Sequence, residues 1–240
     1  MNTIRRLAIL SCILYGSIAN GQTVDDIISK HINAIGGSAV IDKITSQVTN
    51  YEMKVMGNTM TTVATMLTGK GFKNVAEYEG QEIIQCVTAS GGWSINPLTG
   101  NDDPTPLSDD QVKAAQIALQ PGGELYNYKE KGYKAELIGR EKEQEVDAYK
   151  IKWTSSDGKR VSNFFIDPTT YYIIKRESIT QVNGREITTT SIYTGYTRTD
   201  IGLVLPFTTN TNIQGAESTV SIIKVEFNKE IDPKIFEMPK

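Results

Sequence analysis

Gln47-Val48-Thr49-Asn50-Tyr51-Glu52-Met53-Lys54-Val55-Met56, then Gly57-Asn58, then residues 59–67, is the stretch that decides the fold class. Thr49, Tyr51, Met53 and Val55 recur at every second position, the period of a strand with one face turned to a core. Gly57-Asn58 is a turn signal, and the alternation resumes after it, so the chain pairs back on itself as a hairpin. The pattern continues outward. Gly69-Lys70-Gly71 turns into a strand at 72–78, and Glu79-Gly80 turns into another at 81–88. The second half gives strands at 133–141, 148–155, 160–166, 171–181, 186–198, 203–207 and 220–227. Asp157-Gly158 is a type I′ hairpin signal, and Asn183-Gly184 is a second hairpin signal. About ten to eleven strands result, at the spacing of a sandwich or barrel. Composition agrees: 28 Ile and 26 Thr stand against 11 Leu, and β-branched side chains fit a pleated surface better than a helix.

Two helices interrupt the strands. Residues 24–37 carry Val24, Ile27, Ile28, Ile32 and Ile35 on one stripe. Thr23 is the N-cap, Asp25 and Asp26 lie in the first turn, and Gly36-Gly37 ends the helix. A short helical turn is expected over 38–43. Trp93 to Leu98 leaves the sheet, and a Gly/Asn/Asp/Pro-rich loop is expected over 96–106. Ser108 and Gln111 then form a capping box for a helix to Leu119, with Val112, Ala115, Ile117 and Leu119 on its apolar side.

The first 21 residues read as an address. Arg5 and Arg6 precede an apolar run over 7–15, and small residues follow, the pattern of a cleaved secretory signal peptide. Ala19 and Gly21 place the cut after Gly21, with a cut after Ala19 as the neighbouring alternative. A third reading is a lipoprotein signal, Ile9-Leu10-Ser11 before a lipidated Cys12. The run is too short to span a bilayer, which takes about 20 apolar residues. Cleavage removes two positive charges from a net of −3, leaving −5, so the protein lacks the basic surface a nucleic-acid partner needs. It also leaves Cys86 alone, within a strand-like run that makes it a small core residue.

Catalytic chemistry has few candidates. His31 is the sole imidazole, expected at a boundary or solvent-facing position beside Lys30, and a nucleophilic triad needs a base next to its nucleophile. No Gly-x-Ser-x-Gly elbow, His-Glu-x-x-His pair or phosphate-binding glycine pattern occurs. His31 and Cys86 are too few for a structural zinc. Asn101-Asp102-Asp103 with Asp109-Asp110 is rich in oxygen, but it lacks the spacing of a calcium loop and reads as a solvated turn and a helix cap. The chain is expected to be non-enzymatic and without cofactors. Apolar residues on both parities of some strands, as in Ile83/Ile84, Phe164/Phe165 and Ile173/Ile174, mean either a core on both faces or a greasy cavity.

Several motifs occur in order: Asn33-Ala34-Ile35-Gly36-Gly37 on a helix, Gly92-Trp93-Ser94-Ile95-Asn96-Pro97-Leu98-Thr99-Gly100, Tyr193-Thr194-Gly195-Tyr196, Gly202-Leu203-Val204-Leu205-Pro206-Phe207, and Ile231-Asp232-Pro233-Lys234-Ile235-Phe236. In that order they resemble the LolA-like superfamily of outer-membrane lipoprotein-sorting proteins, over residues 22–240 as one β-rich domain. The resemblance implies an unclosed antiparallel β-barrel with an N-terminal helix and short helices capping its concave side. It implies a cavity for lipid or lipoprotein acyl chains, with the helix over 108–119 as a lid. The family's carriers also use a cavity arginine, which none of these motifs supplies. The expected reading is a periplasmic lipid or acyl-chain binder with peripheral membrane contact, its lining drawn from Met53, Val55, Met66, Phe72, Tyr78, Ile84, Trp93, Ile117 and Leu119. The alternatives are a non-enzymatic envelope module docking a protein partner, and a carboxylate-based hydrolase of envelope glycans or lipids. Mass spectrometry of the exported protein is expected to find Gln22 at the N-terminus; a diacylated Cys12 would contradict the cleaved-leader reading.

Overall fold

The computed structural model describes residues 22–55, 57–182 and 185–239, so the expected leader with Cys12 and the turn expected at Asn183-Gly184 lie outside the described residues. In the first half the strands are β1 (Ser46–Val55), β2 (Asn58–Leu67), β3 (Gly71–Tyr78), β4 (Gln81–Thr88), β5 (Gly92–Asn96) and β6 (Asn101–Pro106). In the second they are β7 (Lys134–Glu143), β8 (Val146–Thr154), β9 (Arg160–Ile166), β10 (Ile173–Val182), β11 (Arg185–Arg198), β12 (Val204–Ile213) and β13 (Ala216–Phe227). All 13 form one antiparallel sheet, ordered β6-β5-β4-β3-β2-β1-β13-β12-β11-β10-β9-β8-β7. The sheet does not close; β6 and β7 are its edges. The β1–β13 pairing is the single long-range closure, and it joins the two meanders.

Two strands exceed the expected number. Residues 96–106 form a 3-10 turn at Pro97–Thr99 and then β6, rather than a loop, and β5 stays in the sheet. Pro104 and Pro106 made this segment look like loop. An edge strand tolerates proline because one of its sides needs no N–H, and those prolines blunt the edge against pairing with another chain. The turn at Asp157-Gly158 also differs from expectation. Type I′ needs two left-handed residues, which Glu79-Gly80 (φ 51° and 78°) and Gln214-Gly215 (52° and 94°) supply, whereas at 157–158 only Gly158 has positive φ. Asp157 instead accepts from Ser155 Oγ at 2.6 Å and from the Lys159 N–H at 3.1 Å, an Asx-type turn inside a longer loop.

Helix α1 (Val24–Ala34) begins at a capping box in which Thr23 and Asp26 bond each other's backbone N–H. Its Ile27 and Ile28 pack on Ile151, Trp153, Phe164 and Ile166 of β8 and β9. The short α2 (Ser38–Ile41) and the end of α1 place Ile35, Ile41 and Ile44 against Met66, Leu203, Val204 and Phe227. Helix α3 (Asp109–Ala115), capped by Ser108, continues as a 3-10 turn over Gln116–Leu119 and packs Val112 and Leu119 on Val87. All of these elements lie on the concave face. The convex face is covered differently. At β8 to β10, Lys150 and Lys175 lie over the Phe165 ring at 5.2 and 4.7 Å, so lysine stems cover apolar surface while their charges pair with Glu141 and Glu143. At β3 to β5 the C-terminal segment serves this purpose: Phe236 packs with Ile84, Cys86 and Trp93, and its carbonyl accepts from Trp93 Nε1 at 3.0 Å. Burial pushes the Cys86 thiol up to about 11, so it stays protonated.

Gly71 lets that segment dock, because a Cβ there would meet the Phe236 ring. Gly71→Ala is expected to destabilise the protein by roughly 1–3 kcal/mol through overpacking, and Phe236→Ala by about 3–5 kcal/mol. The double variant is expected to cost less than the two together. Urea titrations of the four proteins measure this; strict additivity would contradict the contact.

Candidate functional site

The helices cover the concave face incompletely. Between α1, the segment after α3 and strands β9 to β12 remains a partly open hollow of ≈ 380 Å³. Most of its wall is apolar: Ile35, Ile117, Leu125, Phe164, Ile173 and Leu203 contribute. Three local features shape it. The left-handed Gly195 (φ 65°) breaks the alternation of β11, so Tyr193 and Tyr196, three apart, both reach the lining. Tyr196 is then fixed by stacking on Tyr172 (4.3 Å) and by donating to the Ile173 carbonyl at 2.6 Å. Gly36 allows α1 to end hard against the strand entering β12, where the Val204 N–H donates to the Ile35 carbonyl at 2.9 Å.

Two polar features interrupt the apolar wall. Arg176 of β10 donates from Nη2 to Glu124 Oε1 at 2.8 Å and from Nε and Nη2 to Ser162 Oγ at 3.3 and 3.2 Å. Its guanidinium lies over the Phe164 ring at 5.5 Å. The Glu124 side chain is 7% exposed. Burial holds its carboxyl above the usual carboxylate range, against the pull of Arg176, Arg160 and Lys131. An ion pair this dry adds little net stability, because desolvation offsets attraction. It does leave guanidinium N–H groups beside an apolar hollow, where they can donate to a polar group on a ligand. The second feature is His31, expected at the boundary but in fact buried at 4% exposure. It sits one turn beyond Ile27 and Ile28 on the same stripe, so helix geometry carries it inward. Its Nδ1 lies 2.8 Å from the Tyr171 carbonyl, so Nδ1 carries the proton and Nε2 is left as an acceptor.

The residues expected to line a cavity are not brought together. Ile117 lines the hollow, and it also lines a neighbouring cleft together with Leu119. Met66 and Phe72 pack in the concave core with Ile35 and Leu203. Met53 and Val55 are half-buried on the far half of β1, and Tyr78 closes β3 at its hairpin. Ile84 and Trp93 belong to the convex cluster around Phe236, and Trp93 lines a shallow surface cleft there. Sequence reading missed Glu124 and Arg176. Arg176 shares a register position with Phe164, and that inward register was the signal that could have found it. Glu124 follows Gly122-Gly123 with no local pattern. Among the described residues no group of three His, Cys, Asp or Glu side chains forms a metal site, and no helix is long and apolar enough to cross a membrane.

No family model and no curated protein matches the sequence. Solved structures do. A LolA superfamily protein from Nitrosomonas europaea aligns with a TM-score of 0.60 at 15% identity, over 90% of this chain and 98% of that one. A putative outer membrane lipoprotein-sorting protein domain from Vibrio parahaemolyticus aligns at 0.59 and 12%, over 87% and 95%. A DUF1329 family protein from Desulfovibrio piger aligns at 0.54 and 10%, over 90% and 98%. The chain therefore has a LolA-like fold: an open antiparallel β-barrel with helices on its concave side.

Burial lowers His31 from 6.5 to about 4, partly opposed by its bond to the Tyr171 carbonyl. Between those values the unfolded chain binds a proton that the folded chain refuses. The stabilisation is therefore complete above pH 6.5 and is lost as pH falls toward 4, by roughly 2–4 kcal/mol. Urea unfolding at pH 7.5 and pH 5 is expected to show about 2 kcal/mol of that loss, and to show less of it in His31→Phe. Equal losses in the two proteins would contradict the assignment.

Proposed function

We propose that the protein is a periplasmic carrier or sensor that receives an acyl chain of a lipid or lipoprotein in the hollow under α1. The observation that carries this reading is an open, largely apolar hollow of ≈ 380 Å³ where the two main buried clusters meet. Small-ligand sites are concave, mostly apolar and about 300–1,000 Å³ in size. A dry 150 Å³ cavity takes one benzene, so this hollow has room for on the order of fifteen carbons. Each buried CH₂ contributes about 0.8 kcal/mol, so the chain itself supplies the affinity and no catalytic group is needed. The lid is α3 with its 3-10 extension. It is tied to the β8–β9 turn by the exposed Lys159–Asp110 pair at 3.2 Å and by Arg160 Nη1 donating to the Ala114 carbonyl at 3.5 Å. Such exposed pairs are worth little each, which suits an element that must move for a chain to enter. The likeness to a lipoprotein-sorting domain supports an acyl cargo, and the signal-peptide pattern of residues 1–21 supports export to the periplasm. Of the lining expected from the sequence, Ile117 is kept, joined by Leu125, Phe164, Tyr196 and Leu203.

Native mass spectrometry of gently purified protein is expected to show a co-purifying lipid, and solvent extraction to release it. Ile117→Asn is expected to reduce that occupancy several-fold while changing stability by about 1 kcal/mol, a usual value for a half-buried site. Lipid-free protein that also fails to bind dodecyl maltoside would refute the reading.

A further inference from the structure

A second cleft, of ≈ 500 Å³, adjoins the hollow. Ile117 and Gln120 line both, so the chain following α3 forms the partition between them. The cleft is of opposite character. Its wall holds three cations, Lys113, Lys131 and Arg160, and one carboxylate, Asp157. That carboxylate is already engaged within its own turn by Ser155 Oγ and the Lys159 N–H. Lys113 makes no hydrogen bond or ion pair among the described residues. Lys131 Nζ donates to the Gly123 carbonyl at 3.3 Å and keeps two donors free. The Arg160 guanidinium lies over the Trp153 ring at 5.5 Å, and Tyr133 packs edge-on against Trp153 at 4.7 Å. This fixes the orientation of the guanidinium on an aromatic floor. Across the partition, Glu124 is paired with Arg176 and offsets part of the charge of Arg160 and Lys131, while Lys113 is left without a carboxylate partner among the described residues.

We infer that the ligand is an anionic amphiphile: its acyl chain occupies the hollow, and an oxyanion head group of phosphate type occupies the cleft, held by Lys113, Lys131 and Arg160. This rests on the reading of the hollow as an acyl-chain site and adds the charge of the ligand to it. The two sites share Ile117 and Gln120 as lining, so they are adjacent, and one molecule spans both by passing the Ile117–Gln120 partition. Charge-assisted bonds from two or three cations distinguish such a head group from a neutral one of equal chain length.

Isothermal titration below the micellar concentration tests this with three probes: dodecyl phosphate, dodecyl maltoside and inorganic phosphate. Dodecyl phosphate is expected to bind at least about tenfold tighter than dodecyl maltoside, with an advantage that shrinks as salt rises. Lys113→Gln with Lys131→Gln is expected to remove the advantage while leaving dodecyl maltoside binding unchanged, which also shows that the variant is folded. Lys113→Arg with Lys131→Arg is expected to keep the advantage. Equal affinities for the two amphiphiles in the unaltered protein overturn the inference and leave the acyl-chain reading standing. Binding of neither amphiphile overturns both. Inorganic phosphate binding as tightly as dodecyl phosphate marks a free-anion site and overturns the inference.

Discussion

A single sheet of 13 strands has two faces to cover and too few helices to cover them. Everything else in this protein follows from how that shortage is met. On the convex face the cover is thin: lysine stems over Phe165, and one C-terminal segment whose Phe236 reaches the sheet through the space left at Gly71. On the concave face the isoleucines of α1 seal β8 and β9, α2 seals the strands around β1 and β13, and α3 seals β4. Three separate patches do not tile a curved surface. The gap between them is the hollow, and its wall is apolar because it is the inner face of the same sheet.

Polar groups in that wall are held by partners that would cost a great deal to lose. Glu124 is nearly dry, and its pairing with Arg176 removes the penalty of an isolated buried charge. His31 stays neutral because it is buried, and its Nδ1 donates to the Tyr171 carbonyl. Neither arrangement offers the nucleophile-and-base geometry that hydrolysis would use. Both leave donor or acceptor capacity next to apolar surface, the combination by which a greasy pocket orients a ligand.

Much of this architecture was legible in the sequence, where the physics is local. The hairpin over 47–67, the N-cap at Thr23, the capping box at Ser108 and the two-residue turn at Glu79-Gly80 are written in a few consecutive residues, and the structure has them. Where a local rule met a tertiary one, the tertiary one won. Proline-rich residues 101–106 became a strand because an edge was available, and His31 went inward because its stripe did. The LolA-like fold was legible from the order of its turns. The lining was not, because it depends on which strand face curves inward and on contacts between distant segments. Glu124 and Arg176 are 52 residues apart and meet only once β10 is in register with β9. Ile84 and Trp93 have the composition of a lining, yet they lie on the face that the C-terminal segment covers.

The central claim is that the hollow, and no other apolar surface, receives an alkyl chain. Methyl-labelled NMR with a spin-labelled fatty acid tests it most directly. The account predicts relaxation broadening confined to the methyls of Ile35, Ile117, Leu125 and Leu203, with Ile84 spared. Broadening centred instead on exposed residues such as Ile213, Ile223 and Val63, or spread evenly over the surface, would contradict it.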